Sequence, residues 1–157
     1  MVYQSHDAVL DGALQLKDAG LVAATAYSTV SSSTVTIDLG VDGNSVAPYV
    51  KGRIIIDTTA VEVASGDEVY DFQVAGATAS SFATVYRGMG RKTIGATSPT
   101  GLPFATPAAG RHVIYFDNVA MDTNGLPFAC RYLRLQCIVA GTVATGINYT
   151  AWMVRDQ

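Results

Sequence analysis

Two runs near the end of the chain constrain its fold most: Arg131-Tyr132-Leu133-Arg134-Leu135-Gln136-Cys137-Ile138-Val139 and Ile147-Asn148-Tyr149-Thr150-Ala151-Trp152-Met153-Val154. Both follow a period of two. In the first, Leu133, Leu135, Cys137 and Val139 share one face, while Arg134 and Gln136 point the other way. Successive side chains leave a strand on opposite sides, so this is the pattern of a half-buried strand. The glycine-bearing link from Ala140 to Gly146 is expected to join the two runs as a hairpin. No helix of comparable length can be read anywhere, which points to an all-β chain.

At 157 residues the chain suits one domain, 1–157, able to bury roughly two-thirds of its unfolded surface. Hydrophobic residues make up 49% and charged residues only 15%, which argues against disorder. Low charge with much Ala, Thr and Ser fits either an assembly subunit or an ordinary small β domain. The net charge of −3 makes a broad nucleic-acid surface improbable. No apolar run approaches the ~20 residues of a membrane-spanning helix. The opening Met1-Val2-Tyr3-Gln4-Ser5-His6-Asp7 lacks the basic and apolar regions of a secretion signal, so synthesis in the cytoplasm is expected.

Residues 1–30 read as an extended arm with one short strand around Ala13-Leu14-Gln15-Leu16; Gly12 would cost a helix there about 1 kcal/mol relative to Ala. Thr34 to Leu39 is a β-branched strand stopped by Gly40, Asp42 and Gly43. Gly52 to Val63 forms another, ending at Ser65-Gly66-Asp67. Val69 to Val74 places Tyr70, Phe72 and Val74 on one face, and Phe82 to Tyr86 forms a further short strand. His112 to Phe116 is apolar on both faces, as in a central sandwich strand, and Asn124-Gly125 marks a tight turn after it. A long loop with Pro99, Pro103 and Pro107 spans 95–110, and loops of that length are usually functional or mobile. Within it Gly101-Leu102-Pro103-Phe104-Ala105 is repeated as Gly125-Leu126-Pro127-Phe128-Ala129. Each copy reads as a proline turn anchoring a Phe, or Phe104 sits on a loop that docks on a partner. About seven or eight short strands suggest an antiparallel sandwich, a jelly roll or a small barrel.

Catalytic and metal chemistry are not legible. Only His6 and His112 could serve as imidazole ligands, too few for a metal jelly roll. His112 on an apolar strand reads as a core histidine, not as part of a hydrolase triad. Cys130 and Cys137 would lie roughly 23 Å apart along extended strand, out of disulfide reach, and Cys137 reads as a small core residue. Arg87-Gly88-Met89-Gly90-Arg91-Lys92-Thr93 lacks the spacing and following helix of a phosphate loop. It is instead a solvated turn, or a basic one that pairs with an acidic partner through Arg87, Arg91 and Lys92. Asp38 to Asn44 resembles part of a calcium loop, but Gly40 takes the third ligand position and Tyr49 stands where the bidentate Glu belongs. The sequon Asn148-Tyr149-Thr150 lies within a strand. Trp152 and the eight tyrosines could stack against a sugar, although a lone Trp on a terminal strand more often joins a core or subunit interface.

With the strands placed, the chain resembles the small jelly-roll cement, or decoration, proteins of tailed-bacteriophage capsids, of the type found on short-tailed phages. The residues that carry the likeness are Leu10-Asp11-Gly12-Ala13-Leu14-Gln15-Leu16, Thr25-Ala26-Tyr27-Ser28-Thr29, Ile37-Asp38-Leu39-Gly40, Arg131-Tyr132-Leu133-Arg134-Leu135, Gly141, Gly146 and Ala151-Trp152-Met153-Val154. Residues 75–110 match it less. The resemblance implies a jelly-roll sandwich with an extended N-terminal arm and no enzymatic activity, cofactor or metal. It implies binding to the phage major capsid protein on the outer surface of the virion, without direct contact to nucleic acid or membrane. A homo-oligomer follows, a dimer before a trimer, with residues 1–12 and Phe104 as grips. The alternative from another class is a carbohydrate-binding or fibre-associated jelly-roll module of a phage tail.

Overall fold

The computed structural model describes residues 14–41, 43, 45–96 and 109–155. Among them are fourteen strands and no α-helix. The short ones come first: β1 (Gln15–Lys17), β2 (Leu21–Val22), β3 (Ala26–Tyr27), β4 (Thr29–Val30), β5 (Ser33–Thr34) and β6 (Ile37–Asp38). The long ones follow: β7 (Lys51–Val61), β8 (Val69–Ala77), β9 (Arg91–Gly95) and β10 (Gly110–Asp117). A small hairpin of β11 (Val119–Met121) and β12 (Pro127–Ala129) precedes β13 (Tyr132–Ala140) and β14 (Ile147–Arg155).

Ten of them form a two-sheet antiparallel β-sandwich, while β4-β5 and β11-β12 are separate two-stranded pairs. One sheet runs β1-β14-β7-β10, with β2 also on β14; the other runs β3-β13-β8-β9, with β6 also on β13. The alternation read from sequence sets which residues meet between the sheets. Tyr70, Phe72 and Val74 of β8 and Leu133, Leu135 and Cys137 of β13 face Ile54 and Ile56 of β7 and Ile147, Tyr149, Ala151 and Met153 of β14. All are buried, each large aliphatic or aromatic one contributing about 1.5–3 kcal/mol of apolar burial. Phe72 and Tyr149 meet edge to face at 4.9 Å, the geometry favoured by aromatic quadrupoles. Tyr149 directs its hydroxyl to Ser28 Oγ at 2.9 Å, which ties the N-terminal segment to the core.

Several expectations are corrected. β13 and β14 do not pair; they lie in different sheets, and Ala140 to Gly146 is an arch, not a hairpin. Its shape depends on contacts remote in sequence: a Cβ at Gly141 would collide with the Asp67 carbonyl and one at Gly146 with that of Val22, and both glycines have positive φ. β10 is not central. It ends the β1-β14-β7-β10 path, so Ile114 and Phe116 enter the core while Tyr115 is 71% exposed, and His112 is only half-buried. Residues 82–86 are not a strand, because Phe82 adopts φ +53° and closes a turn onto Ala79; only Tyr86 bridges, to Gly76. Residues 14–30 are no free arm. They form short strands laid on both sheets through β14 and β13, whereas 1–13 lie outside the described residues. Thr34 to Leu39 is likewise broken into β5 and β6. The Asn124-Gly125 turn is present, with Asp122 Oδ1 accepting from the Asn124 and Leu126 amides at 2.8 Å each.

Both cysteines are free and buried. Loss of solvation pushes the Cys130 thiol up to about 11 and the Cys137 thiol to about 12, where neither is a nucleophile at neutral pH.

Candidate functional site

Strand register gathers most of the predicted basic residues on the outer face of the second sheet. Gln136 of β13 stands opposite Gln73 of β8, and Gln73 stands opposite Arg91 of β9. One row along, Asp71 stands opposite Thr93. Asp71 is buried, and its carboxylate accepts from Arg91 Nε at 2.7 Å, Thr93 Oγ1 at 3.0 Å and Gln73 Nε2 at 2.7 Å. The hydrogen bond and charge of Asp71 raise the pKa of the Arg91 guanidinium, whose side chain remains 54% exposed. Arg87 crosses over the sheet and donates Nη1 to Gln136 Oε1. Thus the arginines are held by strand-borne partners, while a cation there remains open to solvent. Oriented guanidinium groups suit carboxylates better than mobile ammonium groups do, because two N–H bonds can form in parallel.

Arg134 adds a third guanidinium that sequence reasoning missed. Its Nε bonds Thr36 Oγ1 at 2.8 Å, and its Cζ lies 3.8 Å from the Phe82 ring centroid and 5.4 Å from that of Tyr27. Phe82 in turn packs with Ala75 and Ala77, which explains why the left-handed turn at Phe82 is tolerated. At the margin of the face, Asp38 is engaged bidentately by Arg131, both bonds 2.7 Å, and accepts from the Gly40 amide. That carboxylate therefore serves an ion pair within the fold. Lys92 does not join Arg87 and Arg91: strand alternation turns it to the opposite side of exposed β9. Phe104 and residues 97–108 lie outside the described residues.

A second feature had no sequence signal. At the end of the sandwich where Lys51 pairs with Asp117, a cleft of about 580 Å³ is lined by Tyr49, Asp117, Val119, Met121, Pro127, Phe128 and Ala129. Beneath it the wholly buried Asn118 fastens three segments. Its side chain accepts from the Val50 amide and donates to the Pro48 and Cys130 carbonyls, each at 2.8 Å, while its backbone bonds Val50 and Cys130. The remaining aromatic expectation resolves on the other sheet, where Trp152 is half-buried on the outer face, opposite Ile55. Among the described residues no three His, Cys, Asp or Glu side chains group as a metal site would require. No known family model and no curated protein matches the chain.

Proposed function

We propose that this protein is a non-enzymatic structural protein, a capsid cement or decoration protein that binds the outer surface of a tailed-phage shell and bridges major capsid subunits. The observation that carries the reading is the guanidinium face of Arg87, Arg91 and Arg134, in which Arg91 and Arg134 stand on strands and Arg87 is held by Gln136 of β13, on a protein whose net charge is −3. It is a preorganised surface for the carboxylates of a protein partner, and a binding role is all that such a face requires. The jelly-roll form of the fold is supported by strand order. Counting β1, β3, β7, β8, β9, β10, β13 and β14 as one to eight, the sheets read 1-8-3-6 and 2-7-4-5, and each pair of adjacent strands is antiparallel.

In this reading the protein acts as a homo-oligomer, a dimer before a trimer. A single interface near ~1,600 Å² gives moderate affinity. An oligomer that grips two or more shell subunits holds far more tightly, because later contacts form at high effective concentration. The added grip opposes the outward pressure of packaged DNA. Synthesis occurs in the host bacterial cytoplasm, and the virion exterior is the working site.

Co-sedimentation with expanded, empty shells and with unexpanded precursor shells of the cognate major capsid protein tests this. Saturable binding with a raised thermal or mechanical resistance of the shell is expected, and Arg87→Ala with Arg91→Ala weakens it at least tenfold. Absence of binding to both shell forms overturns the proposal.

A further inference from the structure

Among the described residues the large exposed apolar side chains are Leu21, Val41, Val46, Tyr49, Val113, Tyr115, Met121 and Leu126. Five of these eight, Val41, Val46, Tyr49, Met121 and Leu126, lie in the segments around the cleft end. Isolated exposed apolar residues are ordinary; their concentration beside a concave site marks an interaction surface. Tyr49 is 58% exposed and Met121 60% exposed.

The shape of the cleft specifies the kind of partner. In the β11–β12 hairpin, Val119 pairs with Ala129 and Met121 with Pro127, so these four share one face, and all four line the cleft. Between them Phe128, which also lines the cleft, packs edge to face on Tyr86 at 4.8 Å. One wall is Tyr49, in an extended segment that belongs to neither sheet. The other wall includes Asp117, whose carboxylate accepts the Val119 amide at 3.3 Å. An apolar floor, an aromatic wall and a single carboxylate suit an apolar side chain next to a hydrogen-bond donor or cation. Apolar depressions of this size with a few fixed polar groups are the usual form of ligand sites.

The cleft also lies beside the segment that carries Arg87. Tyr86, behind Phe128, is followed directly by Arg87, and the Asp117 amide bonds the Met89 carbonyl at 3.4 Å. One path therefore leads from Tyr49 and Met121 around the β9–β10 edge to Arg87 and Arg91.

We infer that this path is a single docking track for an extended segment of the shell subunit. The segment places an apolar side chain between Tyr49 and Met121, a donor or cation at Asp117, and an acidic residue at Arg87 and Arg91. An extended peptide reads such a track because alternate side chains enter pockets while charges fix register. The inference rests on the shell-binding role proposed above and adds the second anchor and the order of chemistries along the partner.

The test measures binding to the expanded shell for wild type, for Tyr49→Ala with Met121→Ala, and for Leu21→Ala, an equally exposed apolar residue on β2 at the opposite end. Circular dichroism and thermal midpoints confirm that each folds; both cleft positions are exposed, so the fold survives. The cleft variant is expected to bind at least tenfold more weakly, with Leu21→Ala within twofold of wild type. A cleft variant within twofold of wild type, or an equal loss for Leu21→Ala, overturns the docking track while the shell-binding role stands. Wild type that binds no shell removes the functional proposal itself, and the track with it.

Discussion

The two ends of the sandwich solve the problem of joining the sheets in opposite ways. At one end, residues 62–68 and 140–146 arch between the sheets, and carboxylates of the first hold backbone amides of the second. Glu62 accepts from the Ala144, Thr145 and Gly146 amides, and Asp67 from the amide and hydroxyl of Thr142. Buried Glu68 closes its own arch by accepting from Ser65 and Gly66 at 2.6 and 2.9 Å. At the other end, Asn118 performs the joining from below, wholly buried, and leaves Tyr49, Met121 and the cleft facing water. The first end uses its polar groups on itself. The second satisfies its buried polar atoms internally and keeps apolar surface for something else. Where a fold hides its connection determines which end is available for binding.

Substitutions distinguish the two designs. The largest effect is expected at Asn118. Asn118→Ala leaves the Val50 amide and the Pro48 and Cys130 carbonyls without partners in a buried site, and it costs about 3 kcal/mol in denaturant unfolding. A loss under 1 kcal/mol would mean water replaces the side chain and the cleft end is not rigid. At the arch end, Gly146→Ala costs about 2 kcal/mol, since it adds left-handed strain to a collision with the Val22 backbone. Arch strain is local, so this variant is predicted to bind the shell as wild type does.

Acid separates the ends more gently. Three amides bonded to Glu62 hold its carboxyl below the ordinary value of 4.5. A carboxylate with a depressed folded-state pKa stabilises the fold above its unfolded value, and that contribution disappears as pH falls through the folded value. The thermal midpoint should therefore be flat on this account above pH 4.5 and drop below it, and Glu62→Gln should make the drop shallower. Asp57, held low by the Arg111 hydrogen bond, and Asp38, by that of Arg131, add to the same acid loss and remain in that variant. The smallest effect belongs to the binding face: Arg87→Ala should change stability by about 1 kcal/mol, because it removes one hydrogen bond made by an exposed guanidinium to Gln136. Its consequence appears in shell affinity.

Sequence made the inward residues of β8, β13 and β14 legible, because alternation alone places Tyr70, Phe72, Leu133 and Leu135. It did not reveal the partners of those strands. Gly141 and Gly146 read as hairpin glycines, yet their meaning depends on Asp67 and Val22, far away in the chain. The segment from His112 to Phe116 looks central because Val113 and Tyr115 are apolar, but hydrophobicity cannot separate a core from an outward face that remains exposed. Arg87, Arg91 and Lys92 were legible as a basic turn; that Lys92 turns away, and that Gln136 and Asp71 anchor the two arginines, was not. Tyr49 and Met121 carry no motif at all, and only the fold brings them to one cleft.

The most direct measurement is hydrogen exchange of the protein free and bound to expanded shells. Slowed exchange at 46–50, 86–92 and 117–129, with residues 62–68 and 140–146 unchanged, is the predicted footprint. Protection confined to the arch end, or none at the cleft, would contradict the division of labour between the two ends.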